Sequence, residues 1–410
     1  MPTLPNLYPV LERWLGAVGV VLLVAVSALI MSKPLLLDIP ADGNLPPGGD
    51  FAAFYGAGLI ANAGDYSVLY DVDTQRAMQQ SLTTSEEGLF WYFSYPPIVA
   101  SVFVIFAGVS FQSAAVAYTA LMLVSWLAAA WLARPLLPRL FGDHWALVVA
   151  VSLLFWSTFK AVSGGNNTAF TVLILVAVWR LLESDNDVAA GVVGSLLLFK
   201  PTFGVPLLMV WILARRDRLV LGGLAGAAVF WVANAMVAGW GWTGSWIRQA
   251  ISFGNADAIV NGVSASSILG FAQNLTGGVR NPLLFGAVAL AGLLWLLVIW
   301  LWRNEADVGT LIALTSVVFI LGSPHAMAHE VAVMLITVGV IIDRSSRSHA
   351  FTLIGFFVLV ALSWANEYQI EIGWSPAFPV ALAIGAIAAV EARRWRHESR
   401  RERAPVIVSA

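Results

Sequence analysis

Apolar runs long enough to enter a bilayer recur from one end of this chain to the other, and that recurrence limits the fold more than any single motif. In hydrocarbon every backbone amide and carbonyl must find its partner inside the protein, so such a chain folds as helices that cross or enter the membrane. The composition agrees: of 410 residues 59% are hydrophobic and 11% charged, where a soluble domain carries about a quarter charged residues. Mean hydropathy is +0.81. The 18 Trp suit bilayer interfaces, and the 35 Gly are tolerated within spans. The absence of Cys excludes disulfides, thiol nucleophiles and thiolate-held metals. With a net charge of −2 and no basic patch, nothing points to nucleic acid.

The apolar runs predict about twelve crossings. They are Trp14–Leu37, Ser113–Ala133, Trp145–Ala161, Ala169–Leu182, the short pieces Val188–Phe199 and Phe203–Ala214, Leu219–Ala238, Leu283–Trp302, Val308–Leu321, Val331–Ile342, Ala350–Ala365 and Pro376–Val390. The first begins after Arg13 and runs on past the small-residue step Val26-Ser27-Ala28, so it reads as an uncleaved helix and not as a signal peptide. The stretch 38–111 is too long for a simple connection. Within it, Phe51 to Ala63 and Val72 to Leu82 are expected to be short surface or interfacial helices, and Ile98 to Val109 a half-embedded piece. If that piece is not a crossing, Arg134 with Arg139, Arg215-Arg216 with Arg218, Arg303, Arg344 with Arg347, and the tail Arg393-Arg394-Trp395-Arg396 all fall on one side. The positive-inside rule then puts both termini in the cytoplasm. The expected architecture is all-α and polytopic: one transmembrane domain over 1–391, with 38–111 as a long outer loop, and a basic, solvated tail over 392–410.

The opposite side gathers the polar interruptions: the Asp50 loop, Tyr95-Pro96-Pro97, Gly164-Gly165-Asn166-Asn167, Lys200-Pro201, the loop after Ala238, Ser323-Pro324-His325 and Asn366-Glu367. Ionisable groups near a span are costly, and their collection on one face marks a functional site. Asp50 follows Gly48-Gly49 and precedes a helix, which suits an N-cap; a carboxylate there also stays ionised and can take a proton from a substrate hydroxyl. Asp42, Asp65, Asp71 and Asp73 sit in turn-like or solvated contexts. Lys200 is either a snorkelling lysine or a cation for a lipid phosphate, and Lys160 reads as snorkelling. Asn166 and Asn167 belong to a tight turn, or offer amides to sugar hydroxyls. On a helix His325 and His329 share a face, but Glu330 follows the second His, so the H-E-x-x-H zinc motif is absent and no metal site is assigned. The histidines suit contact with a phosphate or sugar, or simply a polar helix end in water. No Gly-rich nucleotide loop is present.

In order and spacing, Gly49-Asp50-Phe51 with Tyr55, Leu69-Tyr70-Asp71, Tyr95-Pro96-Pro97, Gly165-Asn166-Asn167, Leu198-Phe199-Lys200-Pro201 and Ser323-Pro324-His325 resemble glycosyltransferase family 87. Its members are polyprenol-phosphate-mannose-dependent mannosyltransferases of the GT-C fold, and the resemblance runs from Asp50 to about Ile341. Asn166 stands where the family often has Gln, and His329-Glu330 where it often has Tyr-Asp, departures that bear on donor and acceptor choice. The resemblance implies inverting transfer of a hexose, mannose first, from a polyprenyl-phosphate donor to a hydroxyl of a lipid or glycan acceptor at the outer face of a bacterial cytoplasmic membrane. Asp50 is then the general base, Lys200 and His325 stabilise the leaving phosphate, and Tyr55, Tyr95, Asn166, Asn167, His329 and Glu330 make weaker substrate contacts. That scheme requires no cofactor, and a divalent metal is not indicated. The competing expectation is a secondary transporter or lipid flippase, because helices break at Lys200-Pro201 and Ser323-Pro324, one in each half. Against it stand the lack of an internal repeat and the gathering of polar residues at one face. A scaffold without catalysis is the third class.

Overall fold

A computed structural model describes residues 8–35, 49–82, 91–142, 144–277, 281–304, 307–345 and 349–402. Asp42, Gly48 and Arg347, and the end of the basic tail beyond 402, lie outside the described residues. In chain order the helices are α1 (Tyr8–Leu35), α2 (Phe51–Asn62), α3 (Val72–Gln80), α4 (Pro97–Phe103), α5 (Phe111–Ala133), α6 (Pro138–Phe141), α7 (Trp145–Leu154), α8 (Trp156–Ser163), α9 (Thr168–Leu182) and α10 (Asp187–Ser195). They continue as α11 (Pro201–Leu213), α12 (Asp217–Ala238), α13 (Trp242–Val260), α14 (Ile268–Thr276), α15 (Pro282–Asn304), α16 (Val308–Leu321), α17 (Leu335–Arg344), α18 (His349–Ser363), α19 (Gln369–Ile372) and α20 (Ala377–Glu402). Short 3-10 turns join several of them, and the strand-like pairing among the described residues is an isolated antiparallel bridge between Ala265 and Met327.

Local chemistry explains many of the starts. Asp71, Ser110, Asn186, Ser267 and Asp307 each accept a backbone amide of the first turn they open, and Pro97, Pro138 and Pro201 occupy first-turn positions where no amide is needed. Among the described residues four helices are long and apolar enough to cross a membrane alone: Gly16–Leu35 of α1, α5, α12 and α15. The helices α7 and α8 together make a fifth candidate, bent by 83°. Apolar helices such as α2, α9, α11 and α16 have only 10–17 residues. The expected twelve crossings are therefore not twelve full-length helices, since a straight crossing takes about 20 residues. Among these helices, α10 and α12 lie in close contact through glycines: a methyl group at Gly191 would strike Leu219 O, and one at Gly222 would strike Val188 O.

The run Trp145–Ala161, expected as one span, is broken at Phe155, whose backbone is extended (φ −61°, ψ 122°). No Pro or Gly stands there; partners from far along the chain hold the break. Trp156 N donates to Ser363 Oγ at 3.0 Å, and Trp364 Nε1 donates to Leu154 O at 2.8 Å, so the groups freed at the break stay satisfied. The bend aims α8 and the turn after it at α2.

The helix α2 corrects the expectation of an interfacial helix. Its residues other than Leu59 and Asn62 are buried. Phe51 stacks on Tyr118 of α5 with centroids 5.1 Å apart, and Phe54 stacks on Phe103 of α4 at 4.9 Å. A helix apolar all round is a core element, and α2 has no polar face. The basic connections meet at the other end of the bundle: Arg344 bonds Asp307 at 2.5 and 2.9 Å, Asp343 accepts from Arg139 N and Leu140 N, and Arg216 Nε donates to Trp302 O at 2.7 Å.

Candidate active site

Two glycine turns meet at the start of α2. Gly49 has φ +56°, and a Cβ on it would lie 2.6 Å from Gly164 O. The contact that glycine allows is a hydrogen bond from Asp50 N to Gly164 O at 3.3 Å. This ties the base of Asp50 to the Gly164-Gly165-Asn166-Asn167 turn that ends α8. The Asp50 side chain makes no capping bond to its own helix, so the N-cap role does not account for it. The residue is half-buried. Burial pushes its carboxyl above the ordinary value of 3.8, while His329 and Lys200, and more weakly His325, pull it down and Glu330 pushes it up.

Those four residues and Tyr95 form the rest of the cluster. Lys200 sits between the 3-10 turn Leu196–Phe199 and α11, and its side chain is buried. It forms an ion pair with Glu330, lies 3.5 Å from Asn167 Oδ1 and stands 5.2 Å over the Phe203 ring. Glu330 is buried too, and its other carboxylate oxygen accepts from Met327 N at 2.8 Å. Glu330 is thus the fixed counter-ion of Lys200 and not a free substrate contact. Tyr95 hydrogen-bonds Asn167, and burial first, then the Asp50 and Glu330 charges against that of Lys200, leaves its phenol pushed up to about 12.

The histidines are not stacked on one α-helix, as the spacing suggested. The Ser323 hydroxyl donates to His325 O and accepts from His325 N, which closes a turn at Pro324, and the following residues Ala328–Met334 form a 3-10 helix. His325 packs edge-on against Phe253 of α13, with centroids 5.4 Å apart. Among the described residues no three His, Cys, Asp or Glu side chains are set as ligands of one metal.

Other expected site residues are used elsewhere. The Tyr55 hydroxyl donates to Val109 O at 2.8 Å. The Asn166 amide is spent on its own turn, donating to Lys160 O at 3.1 Å and accepting from Thr168 N at 3.2 Å. Lys160, expected to snorkel, is paired with Glu367 at 3.4 Å. Sequence reasoning missed three contributors. Tyr118, buried on α5, donates to Asn166 O and lies within the field of Asp50 and Tyr95. Gln75 and Gln79 of α3 are buried and clamp the 91–95 segment: Gln75 accepts from Phe93 N, and Gln79 pairs with both the amide and the carbonyl of Trp91. A Gln pair spaced i, i+4 in an otherwise polar helix was the signal that could have found them.

An all-helical protein with membrane-length apolar helices and an ionisable cluster at helix breaks belongs to the class of helical membrane proteins with a built polar site. The family model of glycosyltransferase family 87 matches residues 93–324, more than half of the 410 residues. The chain belongs to glycosyltransferase family 87 and is a membrane glycosyltransferase. No curated protein and no solved structure matches it. The matched stretch holds Tyr95, Asn167 and Lys200; Asp50 lies before it, and His325, His329 and Glu330 lie just after it.

Proposed function

We propose that this protein transfers a hexose, mannose first, from a polyprenyl-phosphate donor to a hydroxyl of a lipid or glycan acceptor, with inversion, in a GT-C-like fold. One observation carries the reading: segments far apart in sequence bring Tyr95, Lys200, His325, His329 and Glu330 around the half-buried carboxylate of Asp50. Asp50 takes the acceptor proton as the acceptor oxygen bonds to the anomeric carbon. The bond from that carbon to the phosphate oxygen breaks, and the polyprenyl phosphate leaves with the electron pair.

Charge balance assigns the other roles. With Asp50 and Glu330 ionised and Lys200 protonated, the cluster carries a formal charge of −2 + 1 = −1. Lys200 is already committed to Glu330, so it supplies a fixed positive field on the donor side. His325 and His329 are the cluster's two imidazoles, and they answer the charge that grows on the leaving phosphate. Tyr95 and Asn167 line the same cluster and suit sugar hydroxyls. The gathering of basic connections at the other end of the bundle supports a site facing the periplasm, with both termini in the cytoplasm of a bacterial cell.

The test uses purified protein in lipid nanodiscs, polyprenyl-phosphate-mannose and a membrane glycolipid extract. Release of polyprenyl phosphate is the expected product, and Asp50→Asn should stop turnover while donor binding persists. Wild-type turnover by that variant would remove Asp50 from the role of base. Counterflow of a labelled solute without sugar transfer would point to transport instead.

A further inference from the structure

At the end of the bundle away from Asp50, a cleft of about 570 Å³ opens between the end of α5, α6 and the end of α9. The placement follows from helix geometry. Asn167, which contacts Lys200, immediately precedes α9, and Arg180 comes thirteen residues later, about 20 Å down the axis. The cleft size lies in the range of small-ligand sites, about 300–1,000 Å³.

Two arginines line the cleft, Arg134 and Arg180. Both are exposed, and neither has an ion pair among the described residues. The nearest acid in sequence, Glu183, is occupied by Trp179 Nε1 at 3.0 Å. The rest of the wall is apolar and rigid: Trp131, Leu132, Pro138 and Phe141. Trp131 is 64% exposed at the mouth, a common place for Trp at a bilayer interface. Phe141 also lines an apolar cavity of about 90 Å³ behind the cleft, between α5, α7, α9 and α17.

We infer that this cleft is a binding site for an anionic phospholipid of the adjacent leaflet, with the headgroup phosphate held between Arg134 and Arg180. Paired guanidinium groups match phosphate oxygens, and basic pockets between membrane helices bind lipid headgroups. A lipid fits better than a soluble anion because Trp131, Leu132 and Phe141 leave apolar surface beside the cations, where acyl chains lie. The site is separate from the Asp50 cluster, and its occupant is a bound lipid, not a reactant.

Full-length protein in detergent is titrated with dioleoyl phosphatidylglycerol, dioleoyl phosphatidylcholine and glycerol 3-phosphate, and the adducts are counted by native mass spectrometry. The expected order is tightest binding for phosphatidylglycerol. Arg134→Gln weakens that binding about fivefold and Arg134→Gln with Arg180→Gln about thirtyfold. Arg139→Gln, a neighbouring arginine outside the cleft, leaves it unchanged. Parent-like binding by the double variant, or equal binding of phosphatidylcholine, overturns the inference; equal binding of glycerol 3-phosphate overturns the lipid assignment. Should the double variant fail to fold, phosphatidylglycerol with brominated chains still decides. It must quench the share of tryptophan emission that Trp131→Phe removes, and a lack of that quenching also overturns the site.

Discussion

Glu330→Gln removes one charge from a pair that water does not reach. The side chains of Lys200 and Glu330 are 9% and 2% exposed. Glutamine keeps an acceptor for Met327 N, so the substitution isolates the charge from the hydrogen bond. Two unit charges about 4 Å apart at an effective dielectric constant near 20 attract by about 4 kcal/mol. Breaking such a buried pair from one side loses about 3–5 kcal/mol, because the remaining ion has neither water nor partner. Lys200→Met should lose a similar amount by stranding Glu330. The double variant strands nothing, and should return to within about 1–2 kcal/mol of the parent. The assay is unfolding of the parent, both single variants and the double variant in one detergent, read as a double-mutant cycle in which the two single losses together exceed the double loss by at least about 4 kcal/mol. If the two single losses simply add in the double variant, Lys200 and Glu330 do not act as one buried unit. Transfer should stay low in the double variant although its stability returns, which separates the catalytic loss from folding.

Gly49→Ala puts a Cβ 2.6 Å from Gly164 O on a residue with φ +56°. The left-handed backbone alone costs about 1–2 kcal/mol, and the displaced Asp50 should lower kcat about a hundredfold while helix content is kept; parent-like kcat would refute the need for this contact. The raised pKa of Asp50 fixes the direction of two pH effects. A base works ionised, so kcat/KM should rise with pH along an acidic limb whose midpoint lies above 3.8, and a limb at or below that value would refute the burial effect. Because the folded pKa is above the unfolded one, the ionised carboxylate is a burden on the fold that appears as pH rises through the folded value. Asp50→Asn should therefore unfold later than the parent at pH 7, and the difference should vanish below the ordinary carboxylate value of 3.8.

Polar interruptions of apolar runs located most of the cluster in the sequence, because burying an ion near a membrane is expensive enough to be visible residue by residue. Asp50, Tyr95, Asn167, Lys200 and the two histidines were found that way. How they pair was not. The pairing of Lys200 with Glu330 links residues 130 positions apart, and nothing local in either segment encodes it. Tyr55 and Asn166 carried the right chemistry at the right place in the chain, but Val109 O and the α8–α9 turn take their polar atoms. The buried state of α2 was legible: the run from Phe51 to Ala61 has no polar side, and its place in a polar loop outweighed that signal. The break at Phe155 was not legible, since the groups that stabilise it come from Ser363 and Trp364.

That break also sets an order of events. The hydrogen bonds that satisfy it span 207 and 210 residues, so they cannot form until the chain past α18 has been made. Before then the freed amide of Trp156 and carbonyl of Leu154 have no partner, and in hydrocarbon the stretch from Trp145 to Ser163 is better off as one straight helix. A straight α7–α8 points the Gly164 turn away from Gly49. During biosynthesis the apolar bundle can therefore assemble around an unformed site, and the transferase comes into being only when the last two long helices, α18 and α20, dock.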